Sequence, residues 1–507
     1  MHSVLADNRF NCLNTENARD IIPRIFDEME VQKKYFIGKR AYFVNLIQLC
    51  GALSVILLVV VVGVSSGRKI KSAADFETGS SSSGCGMVSG MIIGTMVGGS
   101  ATIGTAQLAF HYGLSAWWYT LSCGLGCLAF SVFFAKPFRH TKATTFVGIL
   151  SGEYGVAVDV CTSIVYVLST LLSIVGQLIS ATAIMPFIIP GTNVFVSLIL
   201  TAILMSVYVV FGGAIGAGEI GKVKTILLYI ASISGAIIVL KTTGIHTLWN
   251  TLDRGRYFDL MALGTGKEMS KAIAVIMGIV TSQSYMQAIR MGRSDKVAQK
   301  SELISACMVP PIGACAILVG MFMRVHHPEL EQAKSAFPQF AVMYMPDWLG
   351  GIVMGTLLLA VIGSGASMLL GTSVSITKDI IQPLFPWARR EKNTVFVTRM
   401  SIIAILLVGC LLSTGILGDV ILTFGNMAIG LRAAAVFFPM ICALWLPDRI
   451  NKKWILAAIV LGPVTVLIFT IWPVLPLDAL FAGAFISCSC CVLGVLTQIF
   501  SASKRRI

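Results

Sequence analysis

The sequence predicts an all-α, multi-pass membrane protein with about 13 transmembrane helices, and three observations carry that expectation. Of the 507 residues, 56% are hydrophobic and only 12% charged, about half the charge of a soluble domain. The mean hydropathy is +0.84. Apolar runs of about 20 residues, the length a helix needs to cross the hydrocarbon layer, follow one another with short connections. This composition excludes a soluble enzyme, a fibrous protein and a disordered chain. Solid apolar runs, rather than alternating polar and apolar residues, exclude an outer-membrane barrel.

The expected spans lie at about 42–65, 87–112, 115–134, 157–185, 193–211, 220–243, 270–290, 302–323, 349–377, 395–413, 418–446, 454–472 and 478–500. Span one is almost purely aliphatic. Span two is rich in glycine, from Gly90 to Gly104, and span three follows the aromatic cluster Trp117-Trp118-Tyr119. Span four carries Gln177. Gly212-Gly213 separates spans five and six. Span seven holds the polar run Thr281-Ser282-Gln283-Ser284-Tyr285-Met286-Gln287, and span eight is apolar. Span nine carries Gly363-Ser364-Gly365-Ala366-Ser367, then Thr372, Ser375 and Thr377. Span ten is aliphatic, span eleven contains Asn426 and Arg432, and spans twelve and thirteen close the chain. The longest connection, roughly 244–269, holds Trp249 and Tyr257. Residues 1–38 are a short polar N-terminal extension, too small to bury a core. Residues 39–500 form one transmembrane domain, and 501–507 a basic tail.

The net charge of +14 is explained by topology. Arg68, Lys69, Lys71, Lys136, Arg139, Lys142, Lys222, Lys224, Arg290, Arg293, Lys296, Lys300, Lys378, Arg389, Arg390, Lys392, Arg449, Lys452, Lys453, Lys504, Arg505 and Arg506 collect on one side. The opposite loops hold far fewer: Lys241, Arg254, Arg256, Lys267, Lys271, Arg324 and Lys334. The positive-inside rule then puts the C-terminus in the cytoplasm and, with an odd number of spans, the N-terminus outside a cell (inner) membrane. Lys33, Lys34, Lys39 and Arg40 vote the other way and are outnumbered. The expected partners are the lipid bilayer and a small solute, not nucleic acid. The 13 cysteines fall almost entirely in apolar spans, where they act as small hydrophobes. The six histidines are scattered. No acid, base or metal-ligand cluster suggests an enzyme or an organic cofactor, and no Gly-x-x-x-x-Gly-Lys-[Ser/Thr] motif suggests an ATP-driven pump.

Three spans carry chemistry. In span two, Gly98-Gly99 followed by Ser100 and Thr102 sits where a helix is easiest to unwind, exposing carbonyls to a cation and a half-helix N-terminus to an anion. The same glycines equally suit close helix packing. The polar run of span seven requires a cavity or polar partners. The hydroxyls of span nine can ligate a small hard cation or bond back to their own helix.

Gly113-Leu-Ser-Ala-Trp-Trp-Tyr119, the Ser-Gln-x-x-x-Gln of span seven, Ala360-Val-Ile-Gly-Ser with Ile376-Thr-Lys-Asp379, and Phe438-Pro439 with Ala443-Leu-Trp-Leu-Pro-Asp-Arg449 together resemble the sodium:solute symporter family. The resemblance runs from about residue 42 to nearly the end and implies a leucine-transporter-type fold. That fold has two inverted five-helix repeats, here about 85–243 and 269–446, plus peripheral helices. It implies a sodium site between spans two and nine, with the carbonyls of Gly94, Val97 and Ala360 and the hydroxyl of Ser364 as ligands. Gly363 stands where the family usually has a second hydroxyl. A further sodium site of some members needs hydroxyls at Gly363 and Ala366 and an Asp in span six, where this chain reads Ile220-Gly221-Lys222-Val223-Lys224.

The function expected from the resemblance is a secondary active transporter that moves a small neutral or anionic organic solute into the cell, coupled to sodium. The alternatives are a proton-coupled or uncoupled transporter in which Lys222 or Lys224 replaces the sodium site, or an amino-acid symporter. A lysine near a vacated sodium site can serve as a tethered cation, or simply mark the cytoplasmic end of a helix. The spans are poor in acid: Asp159, Glu219 and Asp419 lie near span ends and none at mid-depth, which disfavours a cationic solute. Arg432 can hold a carboxylate or clamp helix carbonyls or Asp419. Gln107, Gln177, Gln283, Tyr285, Gln287 and Asn426 are the expected hydrogen-bonding partners of the solute, beside the unwound Gly98 and Gly99.

Overall fold

The computed structural model describes residues 45–67, 81–141, 143, 145–415, 421–472 and 479–504. These all belong to one compact unit, Val44–Ile507. The 1–38 extension, Arg68, Lys69, Lys71, Lys142, Asp419, Arg505 and Arg506 lie outside the described residues.

Among the described residues the long elements are helices: α1 (Leu46–Gly67), α2 (Cys85–Met96), α3 (Thr105–Tyr112), α4 (Trp117–Ala129), α5 (Val156–Thr182), α6 (Val194–Thr242) and α7 (Thr265–Val280). They continue as α8 (Gln283–Met291), α9 (Asp295–His326), α10 (Asp347–Ser375), α11 (Glu391–Gly415), α12 (Ile421–Trp445), α13 (Lys452–Ile471) and α14 (Ala479–Lys504). Among the described residues ten stretches are long and apolar enough to cross a bilayer, or eleven when the bent α7–α8 pair counts as one. The sequence expectation of 13 differs at three places. The stretch Ser100–His140 counts once although Gly113, at φ +53°, breaks it between α3 and α4; the α7–α8 pair is bent; and the first part of α6 is apolar over only Val194–Val209. Spans five and six are two helices that meet at Gly213 within α6, whose φ of +50° suits glycine.

The two glycine- and polar-rich spans are the broken ones. Between α2 and α3 the chain leaves the helix at Val97–Gly99 and resumes through a π-helical turn, Ser100–Gly104. Between α7 and α8 the axis bends by 46° at Thr281-Ser282. A break inside a membrane frees carbonyls that must find other donors. Here the Thr281 hydroxyl reaches the Met277 and Gly278 carbonyls at 3.3 and 3.2 Å, and Arg432 Nη2 donates to Gly278 O at 3.0 Å.

α6 packs against α2 and α10, α5 against α12 and α10, and α9 against α4. The α2–α6 crossing is close because small residues face each other: a Cβ on Gly94 would lie 2.9 Å from the Gly221 Cα. Both readings of the span-two glycines are therefore realised, with Gly94 at a tight crossing and Gly98-Gly99 at a break. Outward-facing Leu57, Val61, Ile226, Ile237, Leu407, Leu411 and Phe485 are exposed, as an integral membrane protein requires.

Candidate ion and solute site

The tight α2–α6 crossing lets a side chain from α6 reach the broken helix. Lys224 is fully buried there, and its ammonium donates to Gly94 O at 2.5 Å, Ala360 O at 2.7 Å and Ser364 Oγ at 2.8 Å. An ammonium has three N–H donors, and each finds an oxygen. Desolvating a cation costs several kcal/mol. Three charge-assisted hydrogen bonds of about 1.5–3 kcal/mol each are of the size needed to offset it. Three of the four positions expected to ligate sodium thus converge on a lysine. The fourth, Val97, ends α2 with its N–H on Ile93 O at 2.8 Å.

The two lysines of span six have different surroundings. Lys222 is 40% exposed and pairs with Glu219 at 2.5 Å, an ordinary helix-end ion pair. Only Lys224 enters the site.

The span-nine hydroxyls also divide. Ser367, Thr372 and Thr377 bond back to carbonyls one turn earlier on the same stretch of chain, at 2.9, 2.9 and 2.8 Å. Ser364 crosses to the broken helix, donating to Gly94 O at 2.9 Å while accepting from Lys224, and Thr377 also meets the Thr398 hydroxyl of α11 at 3.1 Å. Ser364→Ala is therefore expected to lower stability by about 1–3 kcal/mol and to cut uptake about tenfold, whereas Ser367→Ala stays within about twofold of wild type. Thermal melts and initial uptake rates check this, and equal effects of the two substitutions would refute it.

One helix turn from this site, a small cavity of about 30 Å³ opens, room for a water or two. Gln177, Tyr285 and Arg432 are on its wall, with Ser100, Tyr119, Tyr166, Thr170, Ser173, Ser282 and Ser284. No acidic side chain is among its lining residues. Gln177 uses its Oε1 to accept from Gly99 N at 2.9 Å, which holds the unwound backbone. Arg432 is 6% exposed; one arm clamps Gly278 O and its Nε has no hydrogen-bond partner among the described residues. The helix-carbonyl clamp and a place on the cavity wall coexist in this residue.

Gln107, Gln283, Gln287 and Asn426 are not among the lining residues. Gln283 Oε1 instead accepts from Phe146 N at 3.1 Å, and its own N–H donates to the Tyr166 hydroxyl at 3.1 Å. It ties the segment before residue 154 to the start of α8. The sequence reasoning missed Tyr166, Thr170 and Ser173. Their spacing with Gln177 places all four on one face of a helix, a polar stripe legible in span four.

The model of the sodium:solute symporter family matches residues 78–462. Sodium/proline symporter 2 of Staphylococcus saprophyticus is 23% identical over 314 residues, 57% of this chain and 59% of that protein. The sodium/proline symporter of Staphylococcus aureus is 22% identical over 300 residues, 56% of each. The match thus spans under two thirds of the length of these curated relatives. A solved Na+-coupled sialic acid symporter, substrate-bound and outward-open, superposes with a TM-score of 0.75, covering 90% of this chain and 98% of that one at 17% identity. Mhp1 in an inward-facing conformation gives a TM-score of 0.51, covering 84% and 93% at 14% identity. The fold is the leucine-transporter type, two five-helix repeats that each open with a broken helix.

Proposed function

The chain belongs to the sodium:solute symporter family, and we propose that it is a secondary active transporter in which the Lys224 ammonium stands where a coupling sodium would bind. The cargo in this reading is a small neutral or anionic organic solute, carried into the cell by alternating access across the cell membrane, with the C-terminus cytoplasmic and the N-terminus outside. One observation carries the proposal: the three-oxygen cradle of Gly94, Ala360 and Ser364 around Lys224 Nζ. A sodium ion about 4 Å from that ammonium would meet a repulsion of about 4 kcal/mol at an effective dielectric near 20, roughly a thousandfold loss of affinity. Gly363 and Ala366 supply no hydroxyl in compensation. The family's name implies sodium, yet the charge that sodium would bring to this site is already supplied by the chain.

The cavity supports the solute class. With Arg432 on its wall and no acid among the lining residues, a carboxylate or a neutral polar molecule fits better than an amine. Proline and sialic acid, the solutes named for the relatives, both carry a carboxylate and are the first probes.

The test is a thermal-shift screen of purified protein against L-proline, sialic acid and pools of organic acids, followed by uptake into proteoliposomes under a sodium or a proton gradient. The expected result is saturable uptake that does not respond to the sodium gradient. Strong sodium-driven uptake, indifferent to pH, would overturn the role given to Lys224.

A further inference from the structure

Glu302 is a carboxyl with almost nothing to hold it. It lies on α9 about two turns from the helix start at Asp295. It is 0% exposed, and neither oxygen has a hydrogen-bond partner among the described residues. From the helices packed around it, the group that acts on the carboxyl is the Cys127 thiol of α4. Of the cations on α9 and those helices, Lys224 sits in its cradle, Lys222 pairs with Glu219, Arg290 donates to Thr141 O, Arg139 pairs with Asp295, and Lys136, Lys241, Lys296 and Lys300 are exposed. A bare carboxylate is not tolerated in such a place, so the group is stable there only with its proton on.

The position links the carboxyl to the solute space. Cys127 Sγ lies 4.0 Å from Met96 Sδ, and Met96, the last residue of α2 before the break, is on the cavity wall. In the other direction, the two turns below Glu302 lead to the end of α9 that the positive-inside rule places at the cytoplasm.

We propose that Glu302 is the proton-binding site of the transport cycle. It holds one proton in the arrangement seen here and releases it to water when the cytoplasmic half opens. The O–H bond breaks toward water, a carboxylate remains, and reprotonation from the opposite side completes one proton per cycle. The proposal rests on the reading of Lys224 as a fixed cation: a tethered ammonium cannot be exchanged, so an exchangeable charge must lie elsewhere. Lys224 has an oxygen for every N–H, whereas Glu302 has no cation beside it and the Cys127 thiol, a weak donor, as its neighbour.

Infrared difference spectra of the purified wild type and Glu302→Gln, with Glu302→Asp as the conservative control, test this without a known solute. The expected result is a carboxylic-acid C=O band at neutral pH that Glu302→Gln lacks and Glu302→Asp retains, in proteins that elute and melt as wild type does. An unchanged band in Glu302→Gln means that the carboxyl is already ionised and overturns the proposal. For whichever of L-proline or sialic acid the wild type takes up, Glu302→Gln should keep exchange of labelled for unlabelled solute and lose at least tenfold in accumulation driven by a proton gradient. Retained proton-driven accumulation overturns the proposal as well. Failure of the Lys224 reading shows separately, as sodium-driven uptake by the wild type.

Discussion

Lys224→Ala is expected to abolish solute accumulation and to give the protein a stabilisation by sodium that the wild-type chain lacks. Truncation removes the donor for Gly94 O, Ala360 O and Ser364 Oγ together. Ser364 Oγ still donates to Gly94 O, but each charge-assisted bond lost costs about 1.5–3 kcal/mol, so the arrangement of α2, α6 and α10 loses a large part of what holds it. The vacated volume is walled by oxygens at the place where the family resemblance puts sodium, and a hard cation with one or two waters suits it. At a sodium concentration of about 100 times Kd, the linkage stabilisation is about 2.7 kcal/mol, which a thermal melt registers as a rise of several degrees. Lys224→Met separates the two effects. It removes the same donor but fills the space, so uptake is lost and no sodium response appears. Lys222→Ala is the second control. An exposed pair such as Lys222–Glu219 is worth about 0–1 kcal/mol, and its loss should leave uptake within about twofold of wild type. Melts in sodium against choline chloride decide the matter. A sodium response in the wild type equal to that of Lys224→Ala would show that the lysine does not occupy an ion's place.

The architecture was legible because the bilayer imposes it. Long apolar runs leave little choice but helices, and the breaks at Gly98-Gly99 and at Thr281-Ser282 were marked by residues that belong in lipid only where the backbone is unwound or a cavity is near. The span count was less legible, since a kink such as that at Gly213 and a short helix such as Val194–Val209 look alike to hydropathy. The site was half legible. That a lysine stood beside lost sodium ligands could be read from Ile220–Lys224, but not which lysine, because two residues along a helix point to nearly opposite sides and only packing decides which side faces α2. The glutamines show the opposite limit. Gln177 and Gln283 are both polar groups in apolar spans, yet one lines the cavity and the other caps the backbone at Phe146. Sequence alone shows that such a group needs a partner, not which partner it takes. Glu302 sits at the start of an otherwise apolar span, where a carboxylate reads as a solvated helix end; only its burial exposes it as unusual.

Gly99→Ala should remove transport as completely as a change in Lys224, by a different route. A Cβ at this position would run into the Oγ and Cβ of Ser180 on α5 and come within 3.1 Å of Val361 on α10. Neither neighbour is free to yield: Ser180 is fully buried with its hydroxyl on Gly176 O at 2.8 Å, and Val361 is fully buried in the core. The Gly99 N–H meanwhile donates to Gln177 Oε1, so pushing the backbone away from α5 also breaks the bond that supports the unwound segment. Overpacking of this kind costs about 1–3 kcal/mol, and the strain falls on the break itself. At Gly98 a Cβ would lie 2.8 Å from both Cβ and Oγ of Ser364, so Gly98→Ala presses on the serine that holds Lys224. Both variants are expected to insert and purify, yet to lose more than about tenfold in uptake. Gly84→Ala, at a helix start with nothing within 4 Å of the new methyl, stays at wild-type rate. The clash also predicts its own repair. Ser180→Gly clears the space at a helix-propensity cost of about 1 kcal/mol, so Gly99→Ala with Ser180→Gly should transport better than Gly99→Ala alone. Uptake by Gly99→Ala at the wild-type rate, or a double variant no better than the single one, would mean that the close contact between the break and α5 is not what the glycine is there to allow.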